Sequence, residues 1–428
     1  MQKHEYPSVL ETVYSETLDN GLTVNILPKE GFQKTFATFS TKYGSVDNHF
    51  AVGNEPPVRV PDGIAHFLEH KMFETPEGDI FATFASNGAS ANAYTSFDRT
   101  VYLFSATDHI KENVATLLNF VQNPYFTDEN VDKEKGIIGQ EIKMYQDQPD
   151  WRVYFGLIQA MYHNHPVHID IAGTVESIAQ ITKEWLYRCY QTFYHPQNMS
   201  FFMVGGVNPE EMIDLIQANQ AAKTFTPSGE IHRYFDTEPI QVRQALKEIL
   251  LPVSVPKCLF GIKEKQTERN EAGEAQLRKE VATKLLFDLL FSPSSELYQA
   301  LYDDKLITDS FGAEYNTGEQ YAFSVIGGDT RDPQAMVDRV RREVEAWKRS
   351  GISRELFERA RRKKIGGFYR MLNSPEAIAG EFTKHRFRGT NVFDMLTMYE
   401  SVAVEDVEAR LKEHFDWDQL SVCIVKSE

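Results

Sequence analysis

The sequence predicts an α+β protein made of two similar halves, each a β-sheet covered by helices on one side. One observation is a repeated order of segments: a helix, an aromatic-rich turn and an apolar strand follow Ser177 and again Ser401. A second is the polar segment 224–240, "TFTPSGEIHRYFDTEPI", which lies between the two copies and contains the proline and glycine of a linker. We therefore predict a first half over residues 1–228 and a similar second half over residues 229–428.

Turn residues and alternating hydrophobicity define the elements of the first half. Asp19, Asn20 and Gly21 form a turn before a strand in "LTVNILP", and "KTFATFST" alternates in the same way beside it. The segment "ASANAYTSFDRTVYLFSATD" predicts two strands around a turn at Ser96–Arg99, and "NMSFFMVGGVN" predicts a last strand. Helical periodicity extends over four ranges: 110–123, 128–146, 151–162 and 181–193.

Composition excludes several classes of protein. The formal net charge of the 428 residues is -17, which would repel a nucleic-acid backbone. No apolar run approaches the roughly 18 residues that span a membrane, and the first residues lack the apolar core of a signal peptide. The three cysteines are too few and too widely spaced for a disulfide framework or a cysteine metal site. We therefore expect a cytoplasmic protein with neither nucleic-acid nor membrane partners.

The segment "GIAHFLEHKMFE", residues 63–74, carries the main chemical signal. On a helix, residues four apart share one face, so His66 and His70 can bind one metal ion while Glu69 lies beside it, close to a bound water. The alternative is a buried helix whose histidines are hydrogen-bonded to backbone carbonyls. The His-x-x-Glu-His spacing favours the metal site.

A catalytic zinc site needs a third protein ligand, and the residues leave two sources for it. The first is the loop "YHNHPVHID", which contains His163, His165 and His168. The second is the predicted helix "DENVDKEKGIIGQEIKMYQ", where Glu134 and Glu141 are seven residues apart and therefore lie on one stripe. A solvated acidic helix face would also explain these two glutamates.

The chain resembles the pitrilysin and insulysin peptidases, or inverzincins, whose signature is His-x-x-Glu-His and which include the mitochondrial processing peptidase. The resemblance covers about residues 15–210 through "LDNGLTV", "YGSVDN", "GIAHFLEHKMFE", "NGASANAYTSFDRTVY", "HPVHIDIAGTVESIAQIT" and "YHPQNMSFFMVGGV". It implies that Glu141 is the third zinc ligand and that Glu134 is a second carboxylate supporting a histidine or the water. It also implies mostly antiparallel sheets that form a bowl or clamshell in a dimer, and a second half without a metal site.

The chemistry that this resemblance implies is zinc-dependent cleavage of peptides. Two imidazoles and one carboxylate leave a zinc ion open to water, and Glu69 would take a proton from that water and pass it to the leaving amine. The resemblance places Asn92 and Ala93 on a sheet edge, where an extended peptide could pair through its backbone. A well-packed strand of small residues beneath a helix is the alternative for this segment.

The resemblance fails at one pair of residues in the second half. Active members carry an arginine and a tyrosine, seven apart, that help to hold the substrate, whereas the corresponding residues here are Tyr302 and Asp309. Arg362 and Tyr369 have the right spacing but the wrong surroundings. We therefore predict the zinc-bearing subunit of a heterodimer with a related zinc-less chain, or a homodimer, that cleaves peptides or unfolded segments in an enclosed chamber. The alternative is a zinc-binding scaffold subunit that does not cleave.

Overall fold

The first part of the chain forms a sheet with helices between its strands. A computed structural model describes residues 1–226, 229–265 and 273–428. The strands of this part are β1 (Gln2–Tyr6), β2 (Glu11–Thr17), β3 (Thr23–Pro28), β4 (Thr35–Thr41), β5 (His49–Val52), β6 (Val58–Arg59), β7 (Glu74–Thr75), β8 (Gly78–Asp79), β9 (Ser90–Thr95), β10 (Thr100–Ala106), β11 (Met199–Gly205) and β12 (Ile231–Arg233). The helices are α1 (Ile64–Met72), α2 (Phe81–Ser86), α3 (Ile110–Val121), α4 (Asp128–Gln146), α5 (Pro149–Met161), α6 (Val175–Ile178), α7 (Lys183–Phe193) and α8 (Pro209–Ala221).

The second part of the chain repeats this alternation of strands and helices. Its strands are β13 (Leu246–Leu250), β14 (Lys257–Ile262), β15 (Gly312–Gly318), β16 (Tyr321–Asp329) and β17 (Leu420–Lys426). Its helices are α9 (Glu274–Phe291), α10 (Glu296–Asp303), α11 (Pro333–Ser350), α12 (Arg354–Met371), α13 (Pro375–Phe387), α14 (Met395–Ser401) and α15 (Val404–His414). Within the described residues, we find no helix that is both long and apolar enough to cross a membrane.

The two main sheets have the same strand order. The first is ordered β1-β2-β3-β11-β4-β10-β9, and the second is ordered β13-β17-β14-β16-β15. When β3 is matched to β13, the strands that follow correspond one to one, and β1 and β2 are an extra hairpin. Strand β11 runs parallel to β3 and antiparallel to β4, and β17 has the same relation to β13 and β14. This shared topology confirms the prediction of two similar, mostly antiparallel halves.

Local turn and capping signals set the ends of the elements near the candidate site. The Ser96 N–H donates to the Arg99 carbonyl at 2.8 Å across the turn that joins β9 and β10. Thr127 accepts a hydrogen bond from the Asn130 N–H, and the Asn130 side chain accepts one from the Thr127 N–H. This capping box begins α4 at Asp128, so the helix has the bounds that its periodicity predicts.

Each sheet is covered on both faces, because each half contributes one helix to the sheet of the other half. Helix α5 packs on β13, β14 and β17, and α13 packs on β4 and β11. The rings of Phe202 on β11 and Phe382 on α13 stack with centroids 4.1 Å apart. The prediction of helices on one side alone is therefore wrong. The second layer comes from the other half, which a pattern read within one half does not reveal.

The predicted linker remains in contact with both halves. Strand β12 pairs antiparallel with β5 of the first half. Glu238 accepts a hydrogen bond from the His163 N–H of the first half and another from Lys263 Nζ of the second. The predicted boundary between residues 228 and 229 borders residues 227–228, which lie outside the described residues, so this boundary remains a prediction.

Candidate metal centre

Helix α1 begins at a glycine that the local packing requires. Gly63 has a φ of 86°, and a Cβ at this position would lie only 2.4 Å from the Ala172 carbonyl oxygen. This close approach fixes the start of α1 against the chain at Ala172. His66 and His70 then lie one turn apart, with ring centroids separated by 4.5 Å.

Helix α4 brings Glu141 against both histidines. Glu141 Oε1 lies 3.8 Å from His66 Nε2, and Oε2 lies 3.5 Å from His70 Nε2. One ligand atom from each of the three residues lies within 4.8 Å of the other two, and no second group of His, Cys, Asp or Glu does so among the described residues. Two ligands of a tetrahedral zinc ion, each about 2.1 Å from the metal, are about 3.4 Å apart. The spacing of these nitrogen and oxygen atoms therefore fits a zinc ion.

Glu134, two turns before Glu141 on α4, contacts the other nitrogen of the His70 ring. Its Oε1 lies 3.1 Å from His70 Nδ1, and its side chain is buried. When Nδ1–H donates to this carboxylate, the lone pair of Nε2 is free on the side of Glu141, as a metal ligand requires. Glu134 therefore contacts the His70 ring on the side away from Glu141 and is not one of the three candidate ligands.

The two histidines bind protons with different strengths. Burial, together with the charge of His70, lowers the pKa of His66 to about 3, so its ring is neutral and able to bind a metal at neutral pH. Burial also acts to lower the pKa of His70, but the hydrogen bond to Glu134 and the charges of nearby carboxylates outweigh it and raise this pKa. Protons therefore compete with a metal mainly at His70.

Glu69 lies on the histidine helix but is held by the neighbouring sheet. Thr95 Oγ1, at the end of β9, donates a hydrogen bond of 2.8 Å to Glu69 Oε2. Only 7% of Glu69 is exposed, and this burial raises the pKa of its carboxyl group, although the Thr95 hydrogen bond and the charge of His70 act in the opposite direction. A carboxylate with a raised pKa is a stronger base than a surface glutamate, as proton abstraction requires.

The two residues predicted to contact substrate lie on the strand that ends at Thr95. Strand β9 is at the edge of the first sheet, pairs with β10 and packs against α1. Asn92 is exposed and Ala93 is half-buried, and Asn92 Oδ1 accepts a hydrogen bond from the Ala93 N–H. The edge strand therefore leads directly to Glu69, and small side chains leave its backbone accessible.

The histidine-rich loop over residues 163–168, which ends in a short 3-10 turn at Pro166–His168, is not part of this centre. The backbone N–H groups of His163, Asn164 and His165 all donate to the carboxylate of Glu238, at 2.7 to 2.9 Å. Neither these histidines nor His168 belong to the group of three candidate ligands. Of the two sources for a third ligand, the geometry favours the glutamate on α4.

The residues that replace the expected substrate clamp are exposed. Tyr302 lies on α10, and Asp309 lies in the loop that follows this helix. Arg362 and Tyr369 lie on α12, where the Tyr369 hydroxyl donates to the Ser8 carbonyl at 3.3 Å. The structure therefore places neither pair in contact with the histidines of α1.

Two residues at the centre are absent from the sequence-based prediction. Thr95 is 26 positions from Glu69, and no local pattern marks this contact. Lys71 is fully buried, and here a signal exists: Lys71 follows Phe67 by four residues and Leu68 by three, and both are fully buried. Helical periodicity therefore places Lys71 on the inner face of α1.

Comparison with known proteins identifies the family. Residues 59–175 match the insulinase family, peptidase family M16, and residues 180–364 match the peptidase M16 inactive domain. The uncharacterized zinc protease YmfH of Bacillus subtilis is 49% identical over 424 residues, which cover 98% of both chains. The uncharacterized zinc protease YmxG of the same organism is 25% identical over 73% of this chain and 75% of its own. The chain belongs to peptidase family M16.

Solved structures have the same fold. A putative M16-like peptidase from Alicyclobacillus acidocaldarius gives a TM-score of 0.94 at 40% identity, over 98% of this chain and 99% of that chain. A protease from Helicobacter pylori gives a TM-score of 0.84 at 21% identity, over 97% of this chain and 100% of that chain, and shows the fold alone. These comparisons confirm the predicted fold class and the small two-domain pitrilysin-type family. The comparisons support zinc only through the names of the relatives, since YmfH and YmxG are both called uncharacterized zinc proteases.

Proposed function

We propose that this chain is a zinc metalloendopeptidase that cleaves peptides or unfolded segments. The observation that carries the proposal is the convergence of His66, His70 and Glu141 within 4.8 Å, with Glu69 on the same helix face. These three residues would hold the ion, which when bound supplies a Lewis acid for the peptide carbonyl and acidifies water. The chain's own residues supply the rest of the site.

Glu69 is the proposed general base. Its carboxylate would accept a proton from the attacking water and then deliver it to the leaving amine. The hydrogen bond from Thr95 fixes the orientation of Oε2, and burial makes the carboxyl group more basic than on a surface. Glu134, whose carboxylate contacts His70 Nδ1, is proposed to keep His70 in its ligating orientation.

The substrate is proposed to bind as an added strand along β9. At Asn92 and Ala93 the exposed edge of this strand would pair with the backbone of an extended peptide, a substrate carbonyl replacing Asn92 Oδ1 at the Ala93 N–H, and the strand ends beside the general base. A site of this kind accepts extended chains and excludes folded proteins, in accord with a chamber closed by two bowl-shaped subunits. We propose a catalytic half over residues 1–228, a half without metal over residues 229–428, and action in the cytoplasm.

A partner chain is proposed to complete the substrate site. Tyr302 and Asp309 are exposed where active relatives would carry an arginine and a tyrosine, so this chain lacks its own clamp. A related zinc-less subunit in a heterodimer would supply the missing pair, whereas a homodimer would lack it in both subunits. The same observation favours the second candidate function, a zinc-binding scaffold subunit that does not cleave.

Cleavage of a quenched-fluorescent peptide library tests the proposal. The zinc-loaded chain is assayed alone and with a zinc-less relative from the same organism. Glu69→Gln removes the general base, and Glu77→Gln, at an exposed position after the same helix, is the matched control. We expect cleavage that requires the relative, is lost in Glu69→Gln and is retained in Glu77→Gln. Zinc binding without cleavage in either assay would favour the scaffold function.

A further inference from the structure

A lysine next to the second histidine is completely removed from solvent. Lys71 has 0% of its surface exposed, although it directly follows His70 on α1. Lysine is almost never fully buried unless its ammonium group is paired, because taking an unpaired charge out of water is strongly unfavourable. The groups that pair with Lys71 therefore indicate the role of its positive charge.

Two carboxylates share the ammonium group of Lys71. It forms an ion pair with Glu74, three residues further along the chain, and its Nζ lies 4.0 Å from Glu134 Oε2. The other oxygen of the same carboxylate, Glu134 Oε1, lies 3.1 Å from His70 Nδ1. Glu134 is therefore held between a cation on one side and the imidazole on the other.

We propose that Lys71 is a positioning residue that acts through Glu134 and strengthens the binding of zinc. Its ammonium group holds Oε2, which fixes the rotation of the carboxylate and keeps Oε1 against His70 Nδ1. The imidazole is then fixed with Nε2 on the side of Glu141, where the two atoms lie 3.5 Å apart. The inference rests on the proposed zinc site and adds a residue to it.

The local charges explain why the position requires a cation. Glu74 and Glu134 approach the same ammonium group, and Glu141 adds a further carboxylate at the other nitrogen of the His70 ring. Without Lys71, the buried carboxylate of Glu134 and the partly exposed carboxylate of Glu74 would have no cation between them. Repulsion would turn Glu134 away from His70, since like charges at short range in a protein interior are strongly unfavourable.

The affinity of the full chain for zinc, measured by competition with a fluorescent chelator, tests this role. Lys71→Met removes the charge and replaces the lysine with an unbranched, apolar side chain of similar length. We expect its zinc affinity to fall about tenfold or more, as for other residues that orient a metal ligand. Glu74→Gln, the matched control, breaks the ion pair without touching Glu134 and should change the affinity less than twofold. In Glu134→Gln, adding Lys71→Met should cause no further loss, because the two residues act in series.

Thermal melting of the metal-free variants separates this role from a merely structural one. If Lys71→Met alone does not fold, Lys71→Gln, which also removes the charge but keeps a polar group that can hydrogen-bond to a carboxylate, gives the same comparison with both glutamates in place. Unchanged zinc affinity in a folded Lys71 variant, or a loss that adds to that of Glu134→Gln, would overturn the proposal. A wild-type chain that binds no zinc would instead overturn the proposed function itself.

Discussion

Three glutamates surround the histidines of α1, and their neighbours give each a different role. Glu141 faces the Nε2 atoms of both imidazoles, as is required of a residue that would bind the same metal ion as the two histidines. Glu134 contacts Nδ1 of His70, so it can orient that ring without reaching the metal position. Glu69 accepts a hydrogen bond from the Thr95 hydroxyl, which supports its proposed role as the base that acts on water. At the scale of single residues, function follows from the atom that each carboxylate contacts.

Zinc should stabilise the folded chain through the three candidate ligands. A ligand that binds only the folded state at 1,000 times its Kd adds about 4 kcal/mol to the free energy of unfolding. We expect zinc to raise the melting temperature of the metal-free chain and a chelator to reverse the change. Glu141→Gln should abolish the response, and Glu129→Gln, exposed on the same helix, should keep it. A full zinc response in Glu141→Gln would remove Glu141 from the ligand set.

The Thr95 hydroxyl should matter for turnover and not for metal binding. Thr95→Val removes the donor to Glu69 Oε2, and a hydrogen bond to a charged group contributes about 1.5 to 3 kcal/mol. Lost orientation of the general base should therefore lower kcat at least about tenfold in the active complex. Zinc affinity should be unchanged, and Thr95→Ser, which keeps the hydroxyl, should retain most of the activity. Equal kcat values for the Val and Ser variants would contradict this role.

At the scale of elements, the sequence predicts what is local and fails where partners are distant. The capping residues and periodicity of α4 predict its two ends, and the turn at residues 96–99 predicts the hairpin of β9 and β10. The sequence does not predict the hairpin of β1 and β2, because β1 is only five residues long and is exposed along most of its length. Helix α5 is apolar on most of its surface, which predicts burial but not the sheet of the other half as its partner.

The packing of α5 on the second sheet should depend on the absence of a side chain at Gly156. A Cβ there would lie 2.6 Å from Cys423 Sγ and 2.9 Å from Ile249 Cδ1, so one of these groups would have to move. We expect Gly156→Ala to lower the free energy of unfolding by about 1 to 3 kcal/mol, as overpacking does. Gly366→Ala on α12, where no heavy atom lies within 4 Å, should raise it by about 0.5 to 1 kcal/mol. Denaturant titrations of both variants give the comparison, and a stabilised Gly156→Ala would contradict this packing.

At the scale of the whole molecule, the two halves are joined by contacts that no sequence pattern predicts. Glu238, in the predicted linker, binds three backbone N–H groups of the first half and Lys263 of the second. Arg388 of the second half forms an ion pair with Asp98, in the turn between β9 and β10. The residues alone left two candidate sources for the third metal ligand for the same reason, because the contacts that distinguish them come from distant parts of the chain. Only the fold shows that the histidine-rich loop is occupied by a linker carboxylate.

The Glu238 contact should make the stability of both halves depend on pH. Burial acts to raise the pKa of Glu238, but the backbone N–H groups and Lys263 outweigh it and hold the pKa below the ordinary 4.5. A carboxyl group with a lowered pKa in the folded state stabilises the fold above its unfolded pKa. This contribution is therefore present above about pH 4.5 and disappears as the pH falls through the lower, folded value.

Glu238→Gln should lower the free energy of unfolding by about 2 kcal/mol at pH 7, because hydrogen bonds to a charged group are replaced by neutral ones. The difference from the wild type should shrink steadily below pH 4.5. Glu230→Gln, at an exposed position in the same linker, should have the same free energy of unfolding as the wild type both at pH 7 and below pH 4.5. Amide hydrogen exchange resolves the two halves: since Glu238 binds both, protection should fall in β4 and β14 together. Loss of protection confined to one of these strands would show that the halves unfold separately and that Glu238 does not couple them.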